Sequence, residues 1–183
     1  MDLKETTVKQ TYIHKGRILN LRVDDALLPN GEPCVREVVE HNGGVTVAAL
    51  TDDNELLFVR QYRYPYSEVV LELPAGKLEK GEDPFSAVQR ELLEETGAVA
   101  KRYADLGLFY PSPGYCGEVI HLYSAKGLTF KEQNLDEDEF LEVERIPLER
   151  AVEMVVNNEI VDGKTQAAVL KTAIINWAEK DFS

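Results

Sequence analysis

The chain has 183 residues, 44% of them hydrophobic, and a formal net charge of −13. It is long enough to bury one sizeable core, it has no apolar run near 18 residues, and it opens on neither a secretory nor a transit-like segment, so a cytoplasmic protein with no membrane partner is expected. The acid excess leaves no basic stripe to neutralise phosphates, which argues against nucleic acid and requires any phosphate ligand to be held locally, by metal or by a few arginines.

Strand signals dominate the first two-thirds. Residues 7–14 and 17–28 read as extended, the turn Pro29-Asn30-Gly31 follows, and 34–41 extend again. An isolated two-stranded hairpin is marginal in water, so the segment 1–42 needs a packing partner. Residues 45–50 and 56–60 read as apolar strands around the polar turn 51–54, and 69–73 lead into a loop that begins near Gly76.

That loop opens the most informative stretch. Gly76, Glu82, Arg90, Glu91, Leu92, Glu94, Glu95 and Gly97 stand in the pattern G-x5-E-x7-R-E-U-x-E-E-x-G, where U is a bulky aliphatic residue. Chance would produce it in about one in ten million windows or fewer. Asp83 suits an N-cap, Pro84 the first helical position and Gly97 a left-handed cap, which predicts a helix over 84–96. Glu91, Glu94 and Glu95 then share one arc beside small Ala87, while Phe85, Val88 and Leu92 form a separate stripe expected to face the core. Three carboxylates at this spacing repel, and a divalent cation removes the conflict. A few carboxylates completed by water and substrate phosphates suit Mg²⁺ or Mn²⁺. A solvated acidic face is the ordinary account of a glutamate run; the flanking glycines, Glu82 and Arg90 set this one apart.

Beyond the helix, 103–110, 118–125 and 140–146 read as strands, and 148–157 and about 164–180 as helices. The last carries Ala167, Leu170, Ile174 and Trp177 at helical spacing. Strands with helices on both sides predict an α/β fold. The acidic run 136–139 reads either as solvated charge or as a catalytic loop. Arg36, Arg60 and Arg63 carry forked donors that match phosphate oxygens, although each could also be a surface ion-pair residue. Cys34 and Cys116, the only cysteines, are expected as free thiols, and His14, His41 and His121 lack partners at catalytic spacing.

The motif resembles the Nudix box, departing only at its final aliphatic position, held by Ala98. The resemblance implies an α/β/α sandwich with a mixed central sheet over 43–183, preceded by a small antiparallel β segment over 1–42. Pro113 stands fifteen residues beyond Ala98, and Arg36-Glu37-Val38-Val39-Glu40-His41, Arg60-Gln61-Tyr62-Arg63 and Glu72-Leu73-Pro74-Ala75-Gly76-Lys77 also resemble the ADP-ribose pyrophosphatase branch. That branch implies hydrolysis of ADP-ribose to AMP and ribose 5-phosphate, with Mg²⁺ (or Mn²⁺ as its substitute) held by Glu91, Glu94, Glu95 and the carbonyl of Ala75. It implies Arg90 as the residue orienting the glutamates, and Arg36, Arg63, Arg60 and Pro113 at the substrate. Glu139 aligns with the general base, and Glu137 is the close alternative. A homodimer exchanging the N-terminal segment is implied as well. A nucleotide-sugar pyrophosphatase is the nearest competitor, since it shares every box residue. A non-catalytic module sensing ADP-ribose is disfavoured, because this chain keeps every box carboxylate.

Overall fold

In the computed structural model, residues 2–135 and 140–181 are described, and they form ten strands and three helices. They divide into two units. The first comprises Met1–Gly43 together with Tyr110–Val119. The second of these two segments contains Pro113.

Strands β1 (Thr6–Lys15), β2 (Leu19–Leu27) and β3 (Pro33–His41) form an antiparallel meander, at the three segments that read as extended in the sequence. Gly31, at φ 87°, turns the chain from β2 into β3. Residues 110–119 run beside β3, with Val39 N donating to Tyr115 O at 2.8 Å and Gly117 N to Val39 O at 2.9 Å. A polar group spans the strands: Tyr12, Asn20 and Arg22 all donate to Glu40, and Arg22 also donates to Asp24. Every residue of β1 is exposed, and among β2 and β3 only Asp24 and Ala26 are buried. This sheet buries almost no apolar surface of its own.

The second unit is built on a seven-stranded mixed sheet. Strands β4 (Gly44–Leu50), β5 (Glu55–Arg63), β8 (Ala98–Phe109), β9 (Ile120–Phe130) and β10 (Leu141–Pro147) run in the order β10-β5-β4-β9-β8. Strand β6 (Glu68–Glu72) pairs with β5, and β7 (Ala75–Lys77) with β4. The pair β4–β9 is parallel and the others are antiparallel. Helix α1 (Pro84–Thr96) packs on one cluster, with Val45, Val47, Leu57, Val88 and Leu92 at its heart. Helices α2 (Leu148–Val156) and α3 (Gly163–Asp181) pack on another, built on Leu56, Phe58, Leu73, Leu122 and Val169. No described helix is long and apolar enough to cross a membrane.

The expectation that Phe85, Val88 and Leu92 all face the core needs correction. Val88 and Leu92 are fully buried, but Phe85 is 44% exposed, its ring meeting Tyr103 edge-on at the rim of the cluster. Ile174 is 63% exposed, and Leu170 and Trp177 also face outward. The inward face of α3 is instead Thr165, Ala168, Val169, Thr172, Ala173 and Asn176. Small side chains let the helix approach the sheet, and hydrogen bonds satisfy two of the polar ones. The Thr165 hydroxyl accepts Leu73 N, while Asn176 links Lys126 and Asn54.

Candidate active site

The loop between β7 and α1 is closed by its own side chains. Glu79 N donates to Glu82 Oε2 at 2.9 Å, and Ser86 N to Asp83 Oδ2 at 3.0 Å, so that Asp83 caps α1. Pro84 opens the helix, and Gly97 ends it in the left-handed region at φ 70°, its N–H returning to Leu93 O. These caps fix where the carboxylates of the last two turns stand.

Glu91 and Glu95 are 7% and 2% exposed; Glu94 is more open. Arg90 reaches three acids at once: Nε to Glu82 Oε1 at 3.1 Å, and Nη1 to Glu91 Oε1 at 2.9 Å and Glu94 Oε2 at 3.0 Å. Burial pulls the Arg90 guanidinium down, but Glu82, Glu91 and Glu94 together raise it well above its ordinary value, so it stays charged. Glu95 Oε2 accepts the Ala75 N–H at 2.9 Å, and β7 holds Ala75 opposite Thr46. The backbone of Ala75 and Gly76 is thereby laid against the carboxylate face of α1.

Among the described residues no three acidic, histidine or cysteine side chains close into a ready-made metal cage. A Mg²⁺-like ion needs none, because it keeps several waters and takes one or two carboxylates plus substrate phosphates. The donors here, Glu91, Glu94, Glu95 and the Ala75 backbone, offer oxygen alone, and they fit that kind of ion.

Arg63 lies at the end of β5, where Nε and Nη2 donate to the two oxygens of Glu72 at 2.6 and 2.8 Å. Lys164, at the start of α3, also donates to Glu72. Glu72 is 1% exposed. Burial alone would push its carboxyl up; the Arg63 hydrogen bond and the charges of Lys164 and Arg63 outweigh it and hold the group below the usual carboxylate range. The Arg63 guanidinium is raised by its hydrogen bonds to Glu72 first, against burial, with smaller contributions from the charges of Asp162 and Glu95. Sequence reasoning missed Glu72 and Lys164. The signal was a glutamate inside an otherwise apolar strand.

Arg60 has a different partner. It is paired with Glu144 of β10, and it lines a cleft of about 490 Å³ with Tyr62, Val69, Phe140 and Glu142. Arg36 and Pro113 belong to the first unit, where Arg36 forms a forked pair with Glu5 at 2.9 and 2.6 Å. Glu139 and Glu137 lie outside the described residues. The segment just before them is anchored to the end of α1: Lys131 N donates to Gly97 O, Asn134 N to Glu94 O, and the Gln133 side chain to Glu95 O.

Residues 40–165 match the model of the NUDIX domain, and residues 5–39 that of the nucleoside diphosphate sugar hydrolase N-terminal domain. The chain is 43% identical over 169 residues to an ADP-ribose pyrophosphatase of Bacillus subtilis (strain 168), with 91% of each chain covered. It is 46% identical over 168 residues to the methanol dehydrogenase activator of Bacillus methanolicus, again covering 91% of each. A crystal structure of an ADP compounds hydrolase superposes with a TM-score of 0.83 over 99% of this chain and 98% of that one. At 22% identity, that likeness speaks for the fold alone.

Proposed function

The chain belongs to the Nudix family of hydrolases, and on that premise we propose that it cleaves the diphosphate of ADP-ribose to AMP and ribose 5-phosphate, using Mg²⁺. The observation that carries this reading is the burial of Glu91 and Glu95 beside the Ala75–Gly76 backbone. Carboxylates gathered on one face and withdrawn from water require positive charge close by. Arg90 brings one such charge to Glu91 and Glu94; a bound divalent cation would add to it on the same face, neutralise charge developing on the phosphate oxygens and make the attacking water more acidic.

The chain's own residues have separable tasks in this reading. Arg90 holds Glu91 and Glu94 in register with the loop, and the Ala75 N–H fixes the Glu95 carboxylate. Arg63 grips the diphosphate, while Arg36, Arg60 and Pro113 are carried over from the resemblance as further substrate contacts. Glu139, with Glu137 as the alternative, takes the proton as water attacks phosphorus.

Residues 1–42 serve as a dimerisation and substrate segment ahead of a hydrolase domain over 43–183, in a homodimer that exchanges the segment. The apolar side chains left open on the first sheet support this, with Val8 63%, Ile13 61% and Val35 57% exposed. Free thiols at Cys34 and Cys116 agree with a reducing, cytoplasmic setting. A second reading, hydrolysis of a nucleoside diphosphate hexose, draws support from the description of the family matched by residues 5–39.

A substrate panel tests both. ADP-ribose should give the highest kcat/KM, with AMP and ribose 5-phosphate in equal amounts, no turnover in EDTA and recovery on adding Mg²⁺ or Mn²⁺. Faster cleavage of a hexose diphosphonucleoside favours the second reading, and full turnover in chelator removes the metal from both.

A further inference from the structure

Two cations meet on the buried Glu72 carboxylate, and one of them also serves Asp162. Arg63 alone, with two parallel donors on the two oxygens, would compensate Glu72. Yet Lys164, only 11% exposed at its side chain, donates to the same carboxylate and, at 3.0 Å, to Asp162. Asp162 also accepts Thr165 N at 2.9 Å, and the Thr165 hydroxyl accepts Leu73 N at 2.9 Å. Two consecutive residues of α3 thus reach two consecutive residues of the strand end that runs on into Pro74 and Ala75. Pro74 O in turn accepts from Val47 N and the Thr46 hydroxyl.

We infer that Lys164 is a positioning residue for the diphosphate site, holding Glu72 so that Arg63 can turn from Glu72 to the substrate. The inference rests on the reading of Arg63 as a substrate ligand. With Lys164 in place, the carboxylate keeps a partner when the guanidinium leaves. Without it, a move of Arg63 toward phosphate strands a buried anion, and Arg63 stays where it is. The more open side chain of the two cations, Arg63 at 38% against 11%, is the one free to make that move.

The test is equilibrium binding of ADP-ribose in EDTA, followed by calorimetry beside thermal unfolding. Lys164→Met should weaken binding by about tenfold, the scale of one charge-assisted contact, and Lys164→Arg should keep wild-type affinity. Glu72→Gln added to Lys164→Met should restore affinity, because the buried carboxylate that Arg63 is hydrogen-bonded to is gone. A merely structural lysine would lower Tm and leave the affinity of the folded protein unchanged, which overturns the inference. If Lys164→Met does not fold, the double variant decides: near wild-type affinity supports the inference, and a tenfold loss overturns it. Arg63→Gln separates the two levels, since unchanged binding in that variant refutes the reading of Arg63 itself and the inference with it.

Discussion

Gly76 and Glu91 share one small space: a Cβ on residue 76 would stand 1.8 Å from Glu91 Oε1. The glycine is therefore a steric requirement of the carboxylate site. Gly76→Ala should fold, because the obstructing atoms lie at the far end of a side chain that can swing away. The swing misplaces one of the α1 carboxylates, and a shift of about 1 Å in a reacting group can cost around 10²-fold. The expected result is a Tm within a few degrees of wild type with kcat down by about 10²-fold. Wild-type kcat in this variant means that Glu91 is not a metal ligand.

Glu95 offers a cleaner charge test. Glu95→Gln keeps an oxygen to accept the Ala75 N–H and relieves repulsion among the three carboxylates on α1, so the fold should be retained. Loss of one negative donor should lower kcat by at least about 10²-fold and weaken Mn²⁺ binding measured by titration. A nearly active variant would show that the metal face of α1 has been misassigned.

The residues of α1 were legible because their grammar is local. Asp83, Pro84 and Gly97 mark the ends, and the carboxylate arc follows from helical geometry alone. What was not legible depends on partners distant in the chain. Strand β7 is three residues including a glycine, and it is a strand only because β4 pairs with it. The inward face of α3 could not be read from hydropathy, since close approach to the sheet selects Ala168 and Ala173 over Ile174. Glu72 and Lys164 are 92 positions apart, and nothing in either local sequence pairs them.

The proposed assembly rests on how little the first sheet buries. All ten residues of β1 are exposed, and a sheet with one buried alanine in its strands needs another surface to cover it. Sedimentation should report a dimer near twice the 20.6 kDa chain mass. Deleting residues 1–40 should cost both dimerisation and ADP-ribose affinity. A fully active monomer would refute the exchanged segment.

The general base is tested through the acidic run at 136–139. A base near neutral pH needs a raised affinity for protons, and the anionic glutamates of α1 are a source of it. Residues 131–134, which precede the run in sequence, are hydrogen-bonded to the backbone of Glu94, Glu95 and Gly97. Glu139→Gln should cut kcat strongly and change KM little, because a base acts on the transition state and not on ground-state binding. Glu137→Gln should have a much smaller effect. In the wild type the rate should rise with pH until the base has lost its proton, and that limb should flatten in the Glu139 variant. A damaging Glu137→Gln with a mild Glu139→Gln would move the assignment by two residues. If neither matters, the acidity of the attacking water suffices without a protein base, and the run is solvated surface charge.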